Sequence, residues 1–141
     1  MADGWCTYLL FLAVSYEFDD LGVAVVRCDG CVSSKLGYPN DEGLPEHPLY
    51  HTGLGNFGSC ILEITDSPWV SDVDGQMEKS ARRIWRDRYD ESWSSRDDLR
   101  HFLIALKETT FECIAKSLTV ETFAPSYDDA FAHVIKKMGE Y

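Results

Sequence analysis

The sequence predicts an α+β fold, an antiparallel sheet of about five strands with two main helices on one face. Three observations lead there. Residues 7–18, 23–27 and 58–64 are short runs rich in Val, Ile, Leu, Tyr and Phe, bounded by turn-forming residues, as strands are. Apolar residues at the helical period appear only later, at 66–89 and 126–139. No internal repeat or low-complexity linker divides the chain, so residues 1–141 are expected to form a single domain.

Each element has its own warrant. Asp19-Asp20-Leu21-Gly22 separates the first strand from the second. Residues 37–55 then hold Pro39, Pro45, Pro48 and four glycines, a long irregular segment of the kind that carries function in compact domains. After the third strand, Asp66-Ser67-Pro68 has the cap oxygens and early proline of a helix start. Val70, Val73, Met77, Ala81 and Ile84 carry that helix to about Tyr89. Ser95-Arg96-Asp97-Asp98 resembles a capping box, which predicts a short helix to Arg100 followed by a two-stranded hairpin over 101–120. At the end, Ser126-Tyr127-Asp128-Asp129 caps a helix, Lys136 and Lys137 complement its dipole, and Gly139 stops it.

Composition narrows the function. With 45% hydrophobic and 13% aromatic residues in 141, the chain can bury a core and is not a disordered segment. The longest apolar run, residues 5–14, has half the length a membrane-spanning helix needs, and no basic residue precedes it as in a signal peptide. A net charge of −11 repels phosphate backbones, so nucleic acid is not an expected partner, whereas a basic protein is. Five cysteines, an odd number set mostly in apolar stretches, suit buried thiols of the reducing cytoplasm.

Three constellations can carry chemistry. Cys28 and Cys31, followed by His47 and His51, have the ligand types and spacing of a tetrahedral zinc site. Pro48 opposes this, because it lies between the two histidines where a finger would need helix. Zinc therefore stays a minority reading, with no cofactor as the main expectation. The second constellation is His101 and Glu112 on adjoining arms of the hairpin, a pair able to exchange a proton, with His47 as a further candidate. Its plainer counterpart is a half-exposed histidine beside a surface glutamate. The third is the basic run with Arg82, Arg83 and Arg86, which could grip an anionic group or be a solvated face paired to neighbouring acids. Gly53-Leu54-Gly55-Asn56-Phe57-Gly58 has the letters of a dinucleotide fingerprint, but it follows a loop and precedes a strand, the wrong context. Familiar enzyme signatures are missing.

Three stretches resemble segments that recur together in a group of small bacterial proteins to which no activity is attached. They are His47-Pro48-Leu49-Tyr50 with Gly53-Leu54, then Ser67 with Trp69, then Leu99-Arg100-His101 leading to Thr110-Phe111-Glu112-Cys113, within about residues 35–120. Those similar proteins lack counterparts of Cys28, Cys31 and His51, which speaks against zinc. The resemblance implies that His47, Trp69, His101 and Glu112 belong together around a pocket formed by the long loop and the sheet, with Tyr50 as a further binding residue. Two functions are thus expected. The leading one is a small acidic cytoplasmic protein that binds and masks a basic protein partner, in the manner of an immunity protein or antitoxin. The alternative is a small enzyme or ligand-binding domain with a His/Glu acid–base pocket.

Overall fold

A computed structural model describes residues 6–14, 19–40, 42–54, 61–84 and 98–140. Among them, seven strands form two antiparallel sheets, accompanied by two α-helices. The α+β class is as expected. The strands are more numerous than the five anticipated, and they form a three-stranded and a four-stranded sheet rather than a single one. Contacts divide the chain into two compact units, Met1–Cys31 with Lys116–Tyr141, and Val32–Ala115. Each owns one sheet and one helix, so the two helices do not share a sheet face as the sequence suggests.

The first unit contains β1 (Cys6–Val14), β2 (Asp20–Asp29), β7 (Ser117–Ala124) and α2 (Tyr127–Met138), with sheet order β1-β2-β7. The apolar run of β2 forms the middle strand, where both faces need hydrophobic residues. Val23 and Val25 meet Ala130 and Val134 of α2 on one face, joined by Ala124. Ser126 caps α2 by accepting the Asp129 amide at 3.2 Å, and Gly139 ends it. A polar chain ties helix to sheet: His133 Nε2 lies 2.7 Å from Glu121, which also takes Arg27 at 2.8 Å. Gly22, at φ +88°, has room for no side chain, since a Cβ there would overlap the Ala124 carbonyl oxygen.

The second unit contains β3 (Ser33–Gly37), β4 (Ile61–Ile64), α1 (Pro68–Ile84), β5 (Arg100–Ala105) and β6 (Thr110–Ala115), with sheet order β3-β6-β5-β4. The hairpin of β5 and β6 is the one expected, but its second arm stops at Ala115, and the residues from Ser117 pair with β2 instead. Strand β3 is a polar Ser-Ser-Lys-Leu-Gly stretch that no apolar pattern announces; ladder pairing with β6 makes it a strand. The short helix expected over 95–100 has residues 95–97 outside the described set. Arg100, its last residue, is not helical, because it pairs with Ala115 and opens β5. The parts of the expected third strand at 58–60 and of the expected helix at 85–89 also lie outside the described residues, as do residues 15–18 of the first strand.

One face of the second sheet presents His101, Leu103 and Ala105 from β5, with Glu112 and Ile114 from β6. Two apolar clusters cover it. The long segment folds over one end through Leu44, Leu49 and Leu54, packed with Leu103 and Ala105. Helix α1 covers the other end through Val73, Val70, Met77 and Trp69, packed with Ile114 and Leu99. The polar site lies on the same face.

Candidate active site

Register explains how the site forms. Leu103 pairs with Glu112 and His101 with Ile114, so His101 and Glu112 are diagonal neighbours on one face of adjacent strands. Lys35 of β3 pairs directly with Glu112 from the other side. The long segment delivers His47. It ends a 3-10 turn over Leu44–Glu46 with extended backbone, φ −67° and ψ 136°, the conformation that the following Pro48 favours. Its amide donates to Leu44 O and its carbonyl accepts from Tyr50, both near 3 Å, so the segment is braced by its own backbone.

Ser67 arrives from the far side as the cap of α1. Asp66, at φ +52°, occupies the left-handed region and turns the chain sharply from β4 into the helix. Pro68 follows at the first helical position, and the Ser67 hydroxyl accepts the Val70 amide at a long 3.4 Å.

The four side chains form a continuous hydrogen-bonded chain. Ser67 Oγ lies 2.7 Å from His101 Nδ1. His101 Nε2 lies 2.8 Å from Glu112 Oε1, and His47 Nε2 lies 3.0 Å from Glu112 Oε2. The Leu49 amide donates to His47 Nδ1 at 3.0 Å. Ser67, His101, Glu112 and His47 are each no more than 7% exposed. A buried polar chain with its partners satisfied is rigid and specific in geometry.

Proton placement follows from the donors. Burial raises the Glu112 pKa, but the hydrogen bonds from His101 and His47, aided by the Lys35 charge, outweigh it and hold the carboxyl at about 2. Glu112 is therefore a carboxylate at neutral pH and can only accept, so both imidazoles present Nε2–H to it. His47 Nδ1 takes the Leu49 amide and is bare. In its neutral form His101 also leaves Nδ1 bare, facing the Ser67 hydroxyl. The result is a serine, an imidazole and a carboxylate in sequence, with the ring used in the reverse sense of the serine-protease triad.

These groups line a cavity of about 200 Å³, together with Lys35, Trp69, Leu49 and Ile64. Trp69 stands edge-on to the His101 ring at 5.1 Å, and Lys35 Nζ lies 4.4 Å above the Trp69 ring. A larger cavity of about 430 Å³ shares Leu49, Ile64 and Pro68 with it, so the two adjoin.

The structure thus brings together His47, Trp69, His101 and Glu112. It does not bring Tyr50 to the cavity: Tyr50 stacks edge-on against His51 at 5.2 Å. Arg82 pairs with Glu78 one turn away on the exposed face of α1, with Arg83 exposed beside it; Arg86 lies outside the described residues. Cys28 and Cys31 belong to the first unit, whereas His47 and His51 belong to the second. Among the described residues no set of three or more His, Cys, Asp or Glu side chains is arranged to hold a metal ion. Sequence reasoning missed two members. Ser67 reads as a helix cap, and beside Trp69 as part of a recurring stretch, without a chemical role, and Lys35 lies in a strand without an apolar signature. A serine cap directly after a strand that faces His101 was the available signal for Ser67.

Comparison with known proteins finds no family model, no curated protein and no solved structure that matches this chain.

Proposed function

We propose that the second unit is a small enzyme that uses His101 as a general base, with Glu112 orienting its ring and stabilising the imidazolium that forms. The observation that carries this reading is the Glu112 carboxylate accepting both imidazoles while His101 turns its other nitrogen to the Ser67 hydroxyl, both residues lining a cavity. A base held in one tautomer by a buried carboxylate, at the wall of a small cavity, has what proton abstraction from a bound hydroxyl requires. His47 supports the carboxylate from the opposite oxygen and acts as a positioning residue. Trp69 and Lys35 border the substrate space.

The test is a substrate panel of carboxylic esters, amides, phosphate esters and enolisable ketones, assayed with wild type and with E112Q and H101Q. Turnover of at least one class, reduced a hundredfold or more by either substitution, is expected. Turnover that both variants retain in full contradicts the proposal.

A second reading rests on the charge of −11: an acidic bacterial cytoplasmic protein steered onto a basic protein, which it masks. Cys28, a buried thiol, suits the reducing cytoplasm, and no described helix is long and apolar enough to cross a membrane. Calorimetry against the product of an adjacent reading frame, if basic, is expected to give heat of binding that weakens with salt. No heat at low salt counts against it.

A further inference from the structure

The proton that His101 takes up needs a donor, and the hydroxyl already hydrogen-bonded to its ring is one. Ser67 Oγ is 2.7 Å from the bare nitrogen of His101 and lines the same cavity. The adjoining cavity is walled by the apolar side chains of Leu49, Leu54, Leu62 and Ile64, with Glu63, Thr65 and Asp66 as its polar lining. It begins one residue from the serine, at Asp66 and Pro68.

We propose that Ser67 is a nucleophile that takes the acyl group of a small carboxylic ester, with the apolar acyl chain seated in the cavity lined by Leu49, Leu54, Leu62 and Ile64. The inference rests on the acid–base reading of His101 and Glu112. In the first half-reaction the Ser67 hydroxyl gives its proton to His101 Nδ1 while Oγ attacks the ester carbonyl carbon, and the carbonyl π electrons move to oxygen. The tetrahedral oxyanion collapses, the bond to the alkoxide breaks, and the alkoxide leaves with the proton from His101. In the second half a water gives a proton to His101 and attacks the acyl-serine carbon. Oγ then departs and recovers the proton. Ester and water become acid and alcohol, with no change of oxidation state.

Two features suit the oxyanion. The first turn of α1 has amides that the helix ladder does not use, and the Trp69 amide is the first of these, since Pro68 has none. Lys35 Nζ brings a positive charge to the same cavity, 3.7 Å from Glu112.

The experiment treats the full chain with p-nitrophenyl butyrate and, separately, with a fluorophosphonate, and reads intact mass and the modified peptide. A single adduct on Ser67 is expected, formed at least a hundredfold more slowly in E112Q. L62W, which narrows the acyl cavity, is expected to lower turnover of p-nitrophenyl hexanoate at least tenfold relative to the acetate ester, with an unchanged circular-dichroism spectrum. Adduct mapping on wild type needs no variant to fold. Absence of a Ser67 adduct overturns the nucleophile, and E112Q-sensitive turnover of a non-ester substrate would then leave the acid–base reading standing. If the adduct is absent and nothing in the panel depends on Glu112, both fall. Labelling of Ser67 at equal rates in wild type and E112Q also overturns it.

Discussion

Glu112 takes the His101 ring at 2.8 Å from the adjacent strand, two positions off in register, and on its other oxygen takes His47 from a segment 65 residues earlier in the chain. The carboxylate is therefore the joint between sheet and loop. Its ionisation couples the fold of the second unit to its chemistry.

The first prediction concerns acid. Glu112 is held at about 2 against an ordinary 4.5, so the unfolded chain takes up its proton more readily. The stabilisation is fully present above about pH 4.5 and is lost as pH falls toward 2. The gap corresponds to on the order of 3 kcal/mol. Urea unfolding at a series of pH values is expected to show an acid limb in wild type that is shallower in E112Q.

Ser67 carries both a cap and a hydrogen bond to His101, and the two roles separate by size. S67A is expected to cost about 1 kcal/mol in chemical denaturation, the usual loss of a serine cap. Ester turnover is expected to fall by orders of magnitude more than that stability change explains.

His47 reaches the site from a loop, and the sequence shows the loop without the fold that places it. Proline and glycine spacing marks residues 37–55 as irregular and functional, and the hairpin signal puts His101 and Glu112 on adjoining arms. That much is local. The splitting of strands between two sheets is not, because Lys116 marks no visible break between β6 and β7; only pairing with β2 decides it. The same holds for β3, whose polar residues become a strand through β6, and with it Lys35 enters the site. The expected helix end at Arg100 differs for a related reason: Arg100 is taken by the ladder.

Removing His47 takes away the ring nitrogen that accepts from the Leu49 amide and the donor to one Glu112 oxygen, which keeps only the longer 3.7 Å contact with Lys35 among its described side-chain partners. H47F is expected to destabilise the protein by roughly 2–3 kcal/mol. H47Q, which retains a donor, is expected to lose less in the same urea titration.

Gly22 makes a prediction for the other unit. G22A must place a Cβ against the Ala124 carbonyl at φ +88°. A loss of about 1–3 kcal/mol is expected from the backbone conformation alone, with further loss from the overlap, read by thermal unfolding.

The most direct test needs no substrate: the tautomers of His47 and His101, read from long-range nitrogen–proton NMR correlations of the labelled protein at neutral pH. The account predicts protons on Nε2 of both rings, with a bare Nδ1 on each, and loss of that preference at His101 in E112Q. A His101 ring with its proton on Nδ1 in the wild-type protein would contradict it, because the nitrogen facing Ser67 would then have no lone pair to act as base.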